Sequence, residues 1–142
     1  MNTCLLNEEI EFTIEFYDVD AMEIVWHGNY IKYFEKARCA LLNKIGYGYA
    51  CMKDSGYSFP VTEISVKYIR PLVFGQKVRA KAILDEYENR LRIKYELYDA
   101  QTGVLTTKGM STQMAYDIAG ASSCFVCPQI LIDKVEALLA PV

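Results

Sequence analysis

The chain has 142 residues, of which 52% are apolar and 23% charged, and its formal net charge is −3. This length fits a single domain, and we expect residues 1–142 to form one without a metal or a disulfide to stabilise it. The sequence has no long run of basic residues and no apolar stretch of about 20 residues, which argues against a nucleic-acid partner and a membrane-spanning helix. Its first residues lack the pattern of a signal peptide, so we expect a cytoplasmic protein.

The first predicted strand is 11–16, where apolar and polar residues alternate as in a strand with one buried face. A polar loop, 17–27, follows. A helix is predicted over 29–45, because apolar residues recur on one face at helical spacing, and Gly46 can end it in the left-handed conformation. A short second helix is predicted over 49–53. The charged residues of the long helix lie mostly off the apolar stripe; they are Lys32, Glu35, Lys36 and Arg38.

The rest of the chain is predicted to be mostly strand. Alternating apolar and polar residues indicate strands near 63–68, 77–84, 91–97 and 104–116, and a final helix opens near Pro128. Short turns between consecutive strands predict an antiparallel sheet built from four strands in hairpin succession. The long helix is the large apolar element that can cover this sheet. The predicted class is therefore α+β, with a long central helix wrapped by a curved antiparallel β-sheet.

Five cysteines and a single histidine limit the metal and redox chemistry that the chain can support. Cys124 and Cys127 form a CxxC pair, but there is no second pair, and His27 lies far upstream. In a reducing compartment, cysteines within apolar segments behave as small apolar residues. We therefore interpret the pair as packing residues and expect no metal site.

The loop before the long helix concentrates the residues that are suited to chemistry. It contains Asp20, the only histidine, His27, and the only tryptophan, Trp26. Loops held between rigid elements often carry function. A structural role is the alternative: Asp20 would then form a turn or cap the helix, and His27 would be a packed side chain. Asp18 is interpreted as a turn residue.

The start of the long helix offers a place for an oxyanion. Backbone N–H groups at a helix start lack intrahelical partners, and the helix dipole adds partial positive charge there. If the helix begins at Asn29, the N–H groups of His27 and Gly28 lie at this point. A carboxylate such as Asp20 facing them suits acyl transfer, acting either as a nucleophile or as a base for water.

Three strings in the sequence resemble the 4-hydroxybenzoyl-CoA thioesterase branch of the hotdog superfamily. They are Tyr17-Asp18-x-Asp20-x-x-x-Ile24-Val25-Trp26-His27-x-x-Tyr30, Tyr33-Phe34-Glu35-x-Ala37-Arg38 and Ile64-Ser65-Val66-x-Tyr68-x-x-Pro71. With the order of elements, the resemblance covers residues 8–118. It implies the hotdog fold, subunits that pair into homodimers or homotetramers, and an active site at the subunit boundary.

The resemblance also implies roles for individual residues. Asp20 corresponds to the catalytic carboxylate, His27 to an assisting group, and the backbone of His27 and Gly28 to the oxyanion contact. No metal and no bound cofactor are implied, because coenzyme A enters as part of the acyl-CoA substrate. The candidate pocket residues are Tyr17, Glu23, Trp26, Tyr30 and Glu63, although the alternation of Glu63 with inward-facing residues favours a solvated or interface role for it. The candidate CoA-binding residues are Lys67, Arg70 and Arg90.

Glu23 departs from the family pattern, since many relatives have glycine at this position. Three alternatives follow: Glu23 narrows the site, adds a second carboxylate near Asp20, or points outward. Pairing of the two carboxylates would raise the pKa of one of them through like-charge repulsion.

The predicted function is hydrolysis of a small or medium acyl-CoA to free acid and coenzyme A. One alternative is a binding module for acyl-CoA or acyl-carrier protein that does not hydrolyse its ligand; release of free CoA distinguishes the two. Another alternative is a hotdog dehydratase. Dehydratases usually pair a histidine with an acid from a different segment, whereas His27 lies inside the thioesterase-like string.

Overall fold

The computed structural model describes residues 6–139. In chain order the strands and helices are β1 (Asn7–Thr13), α1 (Tyr30–Ile45), α2 (Tyr49–Asp54), β2 (Tyr57–Ser58), β3 (Val61–Tyr68), β4 (Lys77–Glu86), β5 (Leu91–Asp99), β6 (Leu105–Gln113), β7 (Tyr116–Asp117), β8 (Ser122–Ser123) and α3 (Gln129–Leu139). Two single turns of 3₁₀ helix, Phe16–Asp18 and His27–Asn29, lie between β1 and α1. The α+β composition agrees with the class predicted from the sequence.

The main sheet is antiparallel and has the strand order β1-β4-β5-β6-β3. The predicted hairpin succession of four strands is wrong at its first link, because β3 pairs with β6 at the far edge instead of pairing with β4. The connection between β3 and β4 does not join them as a hairpin, although it contains a turn in which the Gln76 N–H donates to the Val73 carbonyl at 3.2 Å. Its backbone bonds to other segments: the N–H groups of Ile69 and Arg70 both donate to the Thr106 carbonyl, at 3.0 and 2.9 Å.

Two predicted strand boundaries are also wrong. The first strand is Asn7–Thr13 and not 11–16, since the chain turns at Asp18, whose carboxylate accepts the Glu15 N–H at 2.9 Å. The last long strand ends at Gln113 and not at 116, because the chain then enters β7 of a second, three-stranded sheet. The turn role interpreted for Asp18 is confirmed by this bond.

Helix α1 packs its apolar face on the main sheet and begins and ends within one residue of the prediction. Its end is fixed by Gly46, whose φ of 87° lies in the left-handed region. In the core, the Phe34 ring stacks on Tyr95 of β5 with centroids 4.5 Å apart. A Cβ at Gly109 of β6 would overlap the Phe34 ring, so the close approach of helix and sheet requires glycine there.

The spacing of charged residues predicted that Arg38 lies off the apolar face of α1. This prediction is wrong. Its side chain is buried, with only 4% of the residue exposed. The guanidinium Nε and Nη2 atoms donate to the Tyr49 hydroxyl at 3.2 and 3.1 Å, and Nη2 lies 3.6 Å from the Glu35 carboxylate. Burial of the cation is tolerated because its donors find polar partners, both of them partly exposed to solvent.

Within residues 6–139, the cysteines Cys39, Cys51, Cys124 and Cys127 are free thiols, and Cys4 lies outside the described residues. Cys127 is buried, and burial raises the pKa of its thiol to about 12. Such a thiol stays protonated at neutral pH, which agrees with the packing role predicted for it. In the same stretch of chain, no helix has the length and apolar character that crossing a bilayer requires.

Candidate active site

A tight hairpin carries Asp20 between β1 and α1. Val19 and Val25 form an antiparallel bridge, and the Asp20 N–H donates to the Ile24 carbonyl at 2.9 Å. The Glu23 N–H donates back to the Asp20 carbonyl, also at 2.9 Å, and Glu23 has a φ of 64°. A left-handed residue at this point completes a common three-residue hairpin loop. The position of Asp20 is therefore fixed by backbone geometry.

This hairpin is attached to the connection between β3 and β4. The Val25 N–H donates to the Leu72 carbonyl at 2.8 Å, and Ile24 forms an isolated antiparallel bridge with Val73. Val25 and Leu72 are both buried. The segment that follows β3 and the hairpin of Asp20 therefore lie side by side.

The 3₁₀ turn before α1 is held by a buried asparagine. Asn29, with 9% of its surface exposed, donates from Nδ2 to the Asp18 carbonyl at 2.8 Å. The same carbonyl accepts the Trp26 N–H at 3.1 Å, and the Asn29 N–H donates to the Trp26 carbonyl at 2.9 Å. These bonds tie the loop that follows β1 to the start of α1.

The N–H groups of His27 and Gly28 lie at this turn. Among residues 6–139, neither N–H donates to a protein acceptor, and the first turn of α1 contains no acidic residue. The dipole of a helix of this length adds roughly half a positive charge near its start. The turn is therefore suited to accept a developing negative charge. The Trp26 ring covers the Cα of Gly28, where an added Cβ would overlap it.

A cleft of about 270 Å³ brings the hairpin, the helix start and the end of β3 together. Four of its residues were candidates from the sequence: Asp20, His27, Tyr30 and Arg70. Five others were given no site role from the sequence: Ile24, Val25, Tyr68, Ile69 and Pro71. Tyr68 and Pro71 belong to the third family-like string, which was the available signal for them.

The Asp20 carboxylate is exposed, and one of its two oxygens accepts a hydrogen bond. Its Oδ1 accepts the Met22 N–H at 2.8 Å, which orients the side chain and leaves Oδ2 for water or substrate. No cation within residues 6–139 forms an ion pair with Asp20. The described residues also contain no group of three or more His, Cys, Asp or Glu that could hold a metal ion.

The aromatic wall of the cleft is formed by two tyrosines. Tyr30 and Tyr68 meet edge to face with ring centroids 4.8 Å apart. The Tyr30 hydroxyl accepts the Leu72 N–H at 3.3 Å, and burial raises the pKa of Tyr30 above its usual value. The Tyr68 hydroxyl donates to the His27 carbonyl at 3.0 Å. Tyr30 therefore stays neutral at physiological pH, and the Tyr68 side of the wall is hydrogen-bonded to the 3₁₀ turn before α1.

The other candidates do not line this cleft in the single chain. Tyr17 is 81% exposed, Glu23 faces solvent, and the Trp26 ring packs beside the His27 ring with centroids 5.0 Å apart. Glu63 and Lys67 are exposed on the edge strand β3, opposite Thr112 and Lys108. Arg90 lines a separate depression and pairs with Glu86, with Nε 3.1 Å from the carboxylate.

Comparison with known proteins places these features in a family context. The model of the Thioesterase-like superfamily matches residues 14–136. YneP of Bacillus subtilis, provisionally named an acyl-CoA thioesterase, is 29% identical over 108 residues, covering 75% of this chain and 78% of YneP.

Solved structures share the architecture. The DHNA-CoA thioesterase from Staphylococcus aureus superposes with a TM-score of 0.81 at 28% identity, over 94% of this chain and 93% of that one. A 1,4-dihydroxy-2-naphthoyl-CoA thioesterase from Synechocystis gives a TM-score of 0.83 over 95% and 99% of the two chains, but at 14% identity this likeness concerns the fold alone. The hotdog fold expected from the sequence is confirmed.

Proposed function

This chain belongs to the thioesterase-like superfamily and is a thioester hydrolase, and we propose that it converts a small or medium acyl-CoA to free acid and coenzyme A at the cleft of Asp20. One observation carries the proposal: the Asp20 carboxylate and the start of α1 lie on the walls of the same cleft. A thioester placed between them would meet a nucleophile or base on one side and hydrogen-bond donors on the other.

The start of α1 supplies the oxyanion site in this proposal. The thioester oxygen gains negative charge as the carbonyl carbon becomes tetrahedral, and the N–H groups of His27 and Gly28 would bind it. Donors that need no rearrangement are effective here, because removing one such donor typically lowers the rate by about 10²- to 10³-fold.

Asp20 acts by one of two routes. As a base, it takes a proton from a water molecule whose oxygen attacks the thioester carbon; the C–S bond then breaks, and the thiolate of CoA takes up a proton. As a nucleophile, the carboxylate attacks the same carbon and expels the thiolate, and water hydrolyses the resulting anhydride. The products are the same in both routes. His27, on the same cleft, orients the water or the leaving thiolate.

Basic residues near the cleft would bind the phosphates of CoA. Arg70 lines the cleft and forms no ion pair within residues 6–139, so its guanidinium is available. Lys67 lies three residues away on β3 and is exposed. Arg90 would first have to leave Glu86. Arg70 is therefore the preferred phosphate contact, followed by Lys67.

A homodimer or homotetramer is part of this proposal. β3 is an edge strand of the main sheet, bonded to β6 on one side only. Two of its apolar residues, Val61 and Tyr68, are exposed in the single chain. An exposed edge of this kind favours pairing with a second copy.

We also propose a cytoplasmic location, because free thiols such as Cys39 and Cys51 suit a reducing compartment.

The direct test is thiol release from a panel of acyl-CoAs, aliphatic and aromatic, by the wild type and Asp20→Asn. We expect at least a 100-fold loss of kcat in D20N, the lower end of what a reacting carboxylate contributes. His27→Ala should cost less. Asp133→Asn, an exposed change on α3, is the matched control. Near-normal turnover by D20N would contradict the proposal, and acyl-CoA binding without any CoA release by the wild type would favour a binding module.

A further inference from the structure

Arg70 and Pro71 line both the Asp20 cleft and a second depression of about 440 Å³, which also contains Asp99 and Val104. We propose that this second depression binds the nucleotide of the acyl-CoA, with a phosphate on Arg70 and the adenine ring toward Asp99. The inference rests on the proposed function, in which the thioester lies in the cleft.

The cleft is too small to hold a whole acyl-CoA. Its volume is about 270 Å³, below the roughly 300–1,000 Å³ of sites for drug-sized ligands, and CoA is larger than most of these ligands. The nucleotide is joined to the thioester by the flexible pantetheine arm, so it must lie outside the cleft. Two other depressions, beside Met52 and Arg90, share no residue with the cleft, whereas the second depression borders it.

Hydrogen bonds hold the walls of the second depression in place. The Arg70 N–H donates to the Thr106 carbonyl at 2.9 Å. The Gln76 side chain accepts the Val73 N–H at 2.9 Å and donates to the Asp99 carboxylate at 2.8 Å. These bonds tie the segment that follows β3 to the end of β5 and the start of β6. The depression therefore exists before a ligand binds, which lowers the entropy cost of binding.

The charges in the depression orient a nucleotide. The Arg70 guanidinium is exposed and suits a phosphate, which it can bind through two N–H groups. Hydrogen bonds from the Thr102 N–H and the Gln76 amide lower the pKa of Asp99, which is therefore ionised at neutral pH. A carboxylate repels phosphates but accepts hydrogen bonds from the exocyclic amino group of adenine. The phosphate therefore lies on Arg70 and the base near Asp99, where the exposed side chain of Val104 offers an apolar contact for the ring.

Val104→Glu and Val104→Lys test the assignment with opposite charges. Val126→Glu is the matched control, since Val126 is also exposed and lines neither the cleft nor the second depression. The probe is adenosine 3′,5′-bisphosphate, the nucleotide end of CoA. We expect V104E to weaken its binding about 3- to 10-fold through repulsion of the phosphates, and V104K not to weaken it. V126E should match the wild type. Unchanged binding by V104E would overturn the site.

Kinetics with two substrates gives a second measurement. An acyl-CoA and the matching acyl-pantetheine carry the same thioester, but acyl-pantetheine lacks the nucleotide. V104E should raise KM for the acyl-CoA about 3- to 10-fold with kcat nearly unchanged, and should not raise KM for the acyl-pantetheine. An equal rise of KM for both substrates would overturn the assignment. A rise for the acyl-CoA in Arg90→Ala and not in V104E would also overturn it, because the nucleotide would then lie beside Arg90.

Asp20→Asn separates this inference from the proposed function. If D20N is inactive and V104E binds the bisphosphate as the wild type does, the proposed function stands and the nucleotide site is overturned. A fully active D20N overturns the proposed function. The bisphosphate titration needs no turnover, so it then still decides whether the second depression binds a nucleotide.

Discussion

Glu23 occupies a backbone conformation that suits glycine better than glutamate. Its φ is 64°, and the left-handed conformation is unfavourable for an L-residue by roughly 1–2 kcal/mol. Glycine removes this strain, but it gives the unfolded chain more freedom, which offsets roughly 0.5–1 kcal/mol. Glu23→Gly should therefore raise the free energy of unfolding by about 0.5–1 kcal/mol. The backbone of the hairpin thus gives a structural reason for the glycine that the family resemblance leads us to expect at this position.

Urea unfolding of the wild type, Glu23→Gly and Glu23→Ala tests this reasoning. Glu23→Ala is the matched control, because it removes the same carboxylate while the left-handed strain remains. We expect the urea concentration at the unfolding midpoint to be higher for E23G than for the wild type. E23A should show no such increase. Equal midpoints for E23G and E23A would refute the strain argument, since the gain would then come from losing the charge.

The same variants decide between the alternatives for Glu23. The side chain is exposed and does not line the cleft, which favours the outward-pointing alternative. The pH at which kcat falls on the acid side of its pH profile should therefore be the same in both variants as in the wild type. A shift of this fall in kcat to lower pH in both would show instead that Glu23 raises the pKa of Asp20 by like-charge repulsion.

Three further predictions follow from packing and burial. Gly28→Ala places a methyl group in the Trp26 ring and should lower kcat by up to about 100-fold, with partial recovery when Trp26→Ala is added. Gly109→Ala overlaps the Phe34 ring and should lower the free energy of unfolding by about 1–3 kcal/mol in urea. Because burial raises the pKa of Cys127 from 9.0 to about 12, the unfolded chain loses this proton first. Stability should therefore be complete below pH 9 and fall above it by up to about 1.4 kcal/mol per pH unit, and Cys127→Ala should flatten the decline between pH 9 and 10.

The local features of the fold were predictable from the sequence. Helix α1 was found within one residue of its true start, because a 3.6-residue apolar period and Gly46 are signals carried by neighbouring residues. The crossing of β3 to the far edge was not predictable. Alternation shows which face of a strand is buried, but it does not identify the strand that pairs with it.

The candidate site was predicted only in part, because sequence patterns identify site residues that are close together in the chain. Asp20 and His27 share a cleft because one short segment of chain carries both, and the family-like string marked them. Tyr68 appeared in a string of its own, but its bond to His27 depends on where β3 ends in space. Arg38 was misplaced because its partner, the Tyr49 hydroxyl, belongs to another helix.

The geometry of the cleft can be tested by a crystal structure of Asp20→Asn with an unhydrolysed acyl-CoA. The account predicts that the thioester oxygen lies about 3 Å from the backbone nitrogen of Gly28 or His27, with the carbonyl carbon facing the substituted residue 20. A thioester bound elsewhere, with both N–H groups turned away from it, would contradict the account.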